Sequence, residues 1–448
     1  MAKETETKTT KTPPTGTHTG RPRAGTAIRE PRMLPPDAEP SAKSGRLPRK
    51  NADLTVRRER VTDVVEHKPE PEIIRVRTGM DRVMLAFIVI LLALGAIMIF
   101  SASYPEALAQ KGDSMHYIKR HLLFMLLGTG LMVTASVMPI GFYRKMAPWA
   151  FGAALFLLVI VLIPGIGISN GEARRWLGFK SFTFQPSEFM KVALVLILAW
   201  YLDKYRDRVT DRMSKKNAFL FGALIPCGFV GAACGLVLLE KHLSGTIILG
   251  LIGLVVMFLG GIHIGFSGLL VGVGGSAAVA AFLAANPYAW ERIKTFGDAN
   301  ADKLDEAWQT TQGLLAIGSG GLLGVGLGAS NQKHSYVSEA QHDFIFTIFC
   351  EEMGFVGAVT LIVLFLLFIW RGYVIAMRAP DVFSCLLVFG IISQVGIQAF
   401  LNIAVVTDVI PNTGIPLPFF SYGGTSLLIL MGEMGIVLSV SKHSYVKK

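Results

Sequence analysis

The sequence predicts an all-α, polytopic integral membrane protein with about ten transmembrane helices and two long extracellular loops. Three observations predict this fold class. Hydrophobic residues make up 52% of the 448 residues and charged residues only 17%, which is unlike an ordinary soluble protein. The charged residues are dense before Arg82 and sparse after it. Long apolar segments then recur along the chain, and only helices can satisfy the backbone hydrogen bonds of such segments in lipid.

These apolar segments approach or reach the length needed to cross a hydrocarbon core of roughly 30 Å. The fourth is the shortest, and Glu188 and Lys191 interrupt its start. The predicted spans are residues 83–103, 121–140, 148–166, 189–202, 218–239, 245–261, 264–285, 344–370, 383–403 and 417–440.

Residues 1–78 are rich in Thr, Pro, Lys, Arg and Glu and lack apolar periodicity, which predicts a disordered basic tail before a membrane domain at 79–448. Basic residues are also denser in the loops on the side of this tail. The positive-inside rule therefore puts both termini in the cytoplasm. Cytoplasmic retention and anionic lipid headgroups explain the net charge of +11 more simply than nucleic acid does.

The two long outer loops run from about 167 to 187 and from about 286 to 342. Loops of that length in a compact bundle are usually functional or disordered, and the Trp and Phe residues in these two favour order at the lipid interface. The four cysteines lie within apolar segments and have no metal-binding spacing, so they predict no metal site.

The stretch 312–346 is the one around which the other segments are organised. A glycine-rich run at 318–328 leads into a polar segment, and Asp343 stands directly before the apolar run that begins at Phe344. Carboxylates are costly in lipid and are usually retained there for function, so Asp343 is the candidate catalytic residue. The alternative is that Asp343 only caps the following helix.

Four other motifs carry polar chemistry near apolar segments. Arg174 and Arg175 beside Trp176 suit either a phosphate or interfacial anchoring. Glu188 and Lys191 share one helix face and favour a structural ion pair inside the bundle. The turn at 240–246 could line the outer cavity or cap a hairpin. The Pro- and Gly-broken segment 411–426 favours a substrate groove, because irregular backbone at membrane depth lines cavities.

Together these motifs resemble the SEDS family of bacterial cell-wall proteins, which comprises FtsW, RodA and SpoVE. The residues within the motifs are most similar to those of the FtsW/SpoVE branch. The resemblance implies a multi-pass peptidoglycan glycosyltransferase of the bacterial plasma membrane that polymerises lipid II for division, sporulation or shape. It also implies that Asp343 is the essential catalytic residue, and that a class B penicillin-binding protein transpeptidase and divisome or elongasome proteins are partners. The matching residues are 171–176, 186–191, 287–288 with Arg292, 312–328, 339–346, 351–352 and 414–426.

The implied reaction joins an α-linked pyrophosphate donor to a β-1,4 glycan, which a single inverting displacement achieves most simply. That step needs a base, assigned to Asp343, and cations or a divalent metal (Mg or Mn) for the departing pyrophosphate. Two rivals remain: a lipid II flippase, which would place charged sites near mid-bilayer, and a non-catalytic scaffold that recruits a transpeptidase. The residues expected to bind substrate are Arg174, Arg175, Trp176, Lys180, Arg292, Lys333, Glu339 and Ser421.

Overall fold

A computed structural model describes residues 79–170, 173–179, 182–211, 214–262, 264–285, 290, 306–334, 336–337 and 340–444. The tail predicted for residues 1–78 lies outside these ranges, as do Lys180, Arg292 and Glu339. The predicted fold class is confirmed. The described chain is mostly helical, and seven of its helices are long and apolar enough to cross a membrane.

Every predicted apolar segment overlaps a helix, although the helix of the last one begins at Gly424 rather than at 417, and the count of about ten spans stays a prediction. The first half of the bundle comprises α1 (Arg82–Lys111), α2 (His116–Val137), α3 (Ile140–Leu162), α4 (Pro186–Lys204), α5 (Arg206–Val209), α6 (Lys215–Phe219), a π-helical turn (Leu220–Leu224) and α7 (Ile225–Leu239). The second half comprises α8 (Leu243–Leu259), α9 (Ile264–Ala285), α10 (Glu306–Ser319), α11 (Ile345–Met377), α12 (Val382–Val406) and α13 (Gly424–Ser441).

Helix starts follow local chemistry. Asp81 caps α1 by accepting a hydrogen bond from the Met84 backbone N–H at 2.8 Å. Pro186 occupies the first turn of α4 together with Glu188, where a missing N–H and a negative charge are both tolerated. The buried faces of α4 and α12 form the centre of the hydrophobic core.

A small antiparallel sheet with strand order β1-β2-β3 occupies the first long loop. Its strands are β1 (Gly167–Asn170), β2 (Ala173–Phe179) and β3 (Phe182–Phe184). Ile168 pairs with Trp176 and Ser169 pairs with Arg174, which leaves Arg175 as the extra residue of a bulge. Bulges re-aim side chains, so two consecutive residues of β2 can face the same side.

Candidate active site

A cavity of about 430 Å³ opens where α11 and α13 begin, and we call this the cavity end of the bundle. Its walls come from β2, α4, the turn after α7, the residues before α11, one face of α12, the segment 414–423 and α13. Its polar and charged lining residues are Arg175, Gln185, Glu188, Lys191, His242, His342, Asp343, Gln394, Gln398, Ser421, Tyr422, Ser426 and Glu433. Predicted residues that are far apart in the chain are therefore brought together.

Asp343 lines this cavity. The cap position of α11 falls on Phe344, one residue after Asp343, so the catalytic role of Asp343 and the capping alternative both stay predictions. Gly414 has φ 65°, and a Cβ at that position would lie 3.4 Å from Asp343 Oδ2. Gly414 thus lets the segment 414–423 turn closely past the carboxylate.

The backbone of Asp343 is held by α12. Asn402 Nδ2 donates to the carbonyl oxygens of Asp343 and Ile415, both at 2.7 Å. One amide group therefore ties the two cavity walls together at the position of the carboxylate.

Two further amides continue this row along α12 at intervals of four residues. Gln398 donates to the Pro416 carbonyl at 3.1 Å and accepts from Lys191 Nζ at 3.1 Å. Gln394 donates to the carboxylate of Glu433 at 2.7 and 2.9 Å. Residues spaced by four lie on one helix face, so the three amides form a ladder along α12, and Gln394 and Gln398 of this ladder line the cavity.

The predicted ion pair between Glu188 and Lys191 is confirmed, with Lys191 Nζ 2.9 Å from Glu188 Oε2. Both side chains are buried, and Glu188 also accepts from Ser426 Oγ at 2.8 Å. The pair lines the cavity rather than lying behind its wall. Its role as a support for α4 stays a prediction.

Arg175 and Trp176 both line the cavity, in agreement with the bulge in β2. Among the described residues, Arg174 is exposed and lies outside the lining. Arg175 donates through Nη2 to the backbone carbonyl of Lys241, which adopts a left-handed conformation with φ 57°. The turn at 240–242 therefore orients the guanidinium.

This turn settles one of the open alternatives, because His242 lines the cavity. The Nδ1 atom of His242 lies 3.4 Å from Ser187 Oγ. Burial lowers the pKa of the His242 imidazole to about 3, which keeps the ring neutral. The adjacent Glu240 is fully buried, and burial raises its pKa to about 8 although the Arg175 charge opposes the rise.

Lys333 was expected to bind substrate, but among the described residues it is not part of the cavity lining. It is buried, and its Nζ lies 2.9 Å from Glu352 Oε1 and 2.6 Å from the Gly328 carbonyl oxygen. Its charge is thereby neutralised away from the cavity. Ser421 does line the cavity, and its Oγ accepts from the Leu417 backbone N–H at 2.7 Å.

The amide ladder of α12 and Glu433 of α13 are not among the site residues predicted from the sequence. The available signal was the presence of Gln394, Gln398, Asn402 and Glu433 inside otherwise apolar spans, because polar residues there usually face a bundle interior or cavity. Their spacing by four within α12 would have placed three of them on one face.

The described residues contain no cluster of three or more His, Cys, Asp or Glu side chains that could hold a metal ion by themselves. Magnesium, however, is usually bound through one or two carboxylates together with substrate phosphates and water. The carboxylate of Asp343 fits that kind of donor set, because it lines the same cavity as Arg175, whose guanidinium is suited to substrate phosphates.

The fold and the cavity define a multi-pass helical membrane protein whose polar cavity extends from one end of the bundle into its interior. The chain belongs to the cell cycle protein family of FtsW, RodA and SpoVE, whose family model matches residues 81–446.

Several relatives match nearly their whole length. Stage V sporulation protein E of Bacillus subtilis is 38% identical over 371 residues, covering 82% of this chain and 98% of that protein. The probable peptidoglycan glycosyltransferase FtsW of Coxiella burnetii is 37% identical over 355 residues, covering 78% of this chain and 93% of its own.

Solved structures agree with this family. A structure described as showing coordination of polymerization and crosslinking by a peptidoglycan synthase complex contains a chain that matches with a TM-score of 0.65 and 26% identity, covering 82% of this chain and 98% of that one. Thermus thermophilus rod shape determining protein RodA matches with a TM-score of 0.60 and 26% identity, over 82% and 98% of the two chains.

Proposed function

We propose that this protein is a peptidoglycan glycosyltransferase that polymerises lipid II into β-1,4 glycan strands. The observation that carries the proposal is the placement of Asp343, Arg175 and Trp176 around one cavity of about 430 Å³ in a member of this family. A base and a cation are the groups that transfer of a sugar from a pyrophosphate requires.

In the proposed step, Asp343 accepts the proton of the acceptor 4-hydroxyl. The acceptor oxygen attacks the anomeric carbon of the donor as the bond from that carbon to the pyrophosphate oxygen breaks. Configuration inverts once, from α to β. The amide of Asn402 holds the Asp343 backbone, so the carboxylate meets the hydroxyl in a fixed position.

Arg175 is the cavity cation assigned to the leaving pyrophosphate, because a guanidinium fork matches phosphate oxygens and stays charged. Its hydrogen bond to the Lys241 carbonyl orients it before substrate arrives. Lys191 is less suited to this role, because Glu188 and Gln398 already neutralise and bind its ammonium group.

A divalent cation such as Mg²⁺ or Mn²⁺ would be held on the protein side by Asp343. It would supply positive charge to the departing pyrophosphate.

Purified protein incubated with labelled lipid II tests the proposal. Glycan polymer should form with the unchanged chain and be absent with Asp343→Asn. No polymer from the unchanged chain, with or without a class B penicillin-binding protein transpeptidase, would overturn it. The transpeptidase belongs to the test because a structural relative is a complex that coordinates polymerization and crosslinking. Divisome or elongasome proteins are its expected wider context.

We further propose that the cavity end faces outward from the plasma membrane and that both termini are cytoplasmic, since the basic loops lie at the opposite end. Impermeant cysteine labelling of intact cells checks this. Labelling within 204–216 but not within 286–342 would reverse the orientation.

One observation favours a flippase as the second candidate. Glu433 lies near the middle of α13, lines the cavity and is buried, so an ionisable residue does lie deep within a span. Reconstituted vesicles distinguish the two functions, because a flippase moves fluorescent lipid II between leaflets without forming polymer.

A further inference from the structure

The glycine-rich segment 320–328 has no part in the proposed chemistry, yet it is built into the bundle at a break in α11. At Gly354 the helix leaves helical geometry, with φ 67° and ψ −171°. A Cβ on Gly324 would lie 2.2 Å from the Glu352 carbonyl oxygen. The segment and the break therefore approach each other at a distance that only glycine permits.

Backbone hydrogen bonds join the two. The N–H groups of Val325 and Gly326 donate to the carbonyls of Glu351 and Glu352 at 3.0 and 3.1 Å. In the other direction, the N–H groups of Phe355 and Val356 donate to the carbonyls of Gly321 and Leu322 at 2.9 and 3.1 Å. The irregular backbone is thus satisfied within the protein, which is the condition for non-helical chain at membrane depth.

Two layers of paired polar side chains, one partly buried and one buried, indicate how deep the segment lies in the membrane. At the end of the bundle opposite the cavity, Arg371 pairs with Asp81 at 2.6 Å. Towards the cavity end, Glu352 accepts from Ser101 Oγ at 2.6 Å and pairs with Lys333. The two layers are separated by about twenty residues along both α1 and α11, which corresponds to about 30 Å, one hydrocarbon thickness.

The segment 320–328 lies at the second layer, and Phe355 and Val356 lie just inside it. Here the chain exposes apolar side chains: Leu323 is 81% exposed, Leu322 71% and Phe355 63%. The sequence carries no charged residue from 318 to 329. An uncharged, apolar patch at the hydrocarbon boundary is suited to acyl chains and not to water.

We propose that segment 320–328 is a membrane anchor whose leucines enter the leaflet at the cavity end and contact phospholipid acyl chains. It also fixes the height of the chain that leads to Asp343. The Gly328 carbonyl binds Lys333 Nζ, and Ser330 donates to Glu351. The anchor does not depend on the proposed glycosyltransferase activity.

Photo-cross-linking in lipid nanodiscs tests the anchor. A benzophenone amino acid replaces Leu323 in the full chain, and intact-protein mass spectrometry reads the product after irradiation. Leu366, exposed in the middle of α11, is the lipid-facing control. Lys111, about 15 Å further along α1 than the Ser101 layer, is the water-facing control.

The anchor predicts a phospholipid adduct at position 323 with a yield within about twofold of that at 366, and none at 111. An adduct at 366 without one at 323 would overturn the proposal. A cross-link from 323 to a second protein chain would overturn it as well, since it would mean that protein covers this surface. A benzophenone at Leu322 repeats the measurement should the 323 variant fail to fold.

Discussion

Two buried lysine–glutamate pairs in this protein have the same nitrogen–oxygen distance and different surroundings. Lys191 and Glu188 lie 2.9 Å apart in the wall of the cavity, and Lys333 and Glu352 lie 2.9 Å apart behind the glycine-rich segment. The glutamate of the first pair keeps 11% of its side chain exposed, whereas that of the second keeps none. Geometry alone does not distinguish them, and access to the cavity does.

The difference teaches where to look for chemistry. The pair of Lys333 and Glu352, which we call the sealed pair, makes its further hydrogen bonds within the protein, to Ser101 and to the Gly328 carbonyl. The pair of Lys191 and Glu188, which we call the open pair, lines the same cavity as Asp343 and Arg175. Substituting the sealed region should therefore cost stability first, and substituting the open region should cost activity first.

The largest expected effect lies in the open region, at Asp343. Asp343→Asn keeps shape and hydrogen-bonding capacity but removes the charge, so loss of the general base should lower the polymerisation rate by about 10² to 10⁴. Expression, melting temperature and transpeptidase binding should stay at wild-type values. A variant that polymerises lipid II near the wild-type rate would leave Asp343 with no role in proton transfer.

The sealed region should respond in the opposite way. Glu352→Gln leaves the buried ammonium of Lys333 without a counter-charge, and breaking such a pair typically costs about 3–5 kcal/mol of unfolding free energy. Denaturation in detergent measures this loss. The double variant Glu352→Gln/Lys333→Met should recover part of it. A stable single variant that loses only activity would erase the distinction between the two pairs.

The open pair should show an intermediate effect. Glu188→Ala removes the counter-charge of Lys191, which keeps its hydrogen bond to Gln398 and its access to cavity water. Folded yield should fall together with activity, but the loss of stability should be smaller than that of Glu352→Gln. Glu188→Gln/Lys191→Met should recover part of the yield. A well-folded and fully inactive Glu188→Ala would point to direct catalysis instead.

The sequence predicted what depends on short separations. The spans follow from runs of apolar residues, and the pairing of Glu188 with Lys191 follows from their spacing by three on one helix. The partner of Lys333 is nineteen positions further along the chain, beyond the stretch that contains Asp343, so no local pattern reveals it. The contact between Asn402 and the Asp343 carbonyl spans 59 positions and is equally invisible.

A substitution at Arg175, in the open region, should have a smaller effect on activity. Arg175→Lys keeps the charge but loses the planar fork and its hydrogen bond to the Lys241 carbonyl. Polymerisation should fall by roughly tenfold, in line with the loss of about one charge-assisted hydrogen bond. Arg174→Lys is the matched control, because Arg174 is exposed on the same strand, and it should retain wild-type activity. Equal losses in both variants would show that the sheet, rather than the cavity guanidinium, matters.

The smallest effect concerns Glu240, a buried carboxylate without a lysine partner. Within the described residues, neither of its carboxylate oxygens has a hydrogen-bond partner, and burial raises its pKa from 4.5 to about 8. The folded state therefore binds this proton more tightly than the unfolded state does. The stability that Glu240 contributes is fully present below about pH 4.5 and is lost as the pH rises through about 8.

Glu240→Gln resembles the protonated form at every pH, so its melting temperature should exceed that of the wild type by a few degrees at about pH 9 and equal it near pH 5. Asp113→Asn is the control. Asp113 is exposed, and its pKa is lowered by the hydrogen bond from Lys119, so its titration is complete below this window. A difference between Glu240→Gln and wild type that stays constant from pH 5 to 9 would show that Glu240 does not titrate there. The contrast between paired and unpaired buried charges would then rest on the two lysine–glutamate pairs alone.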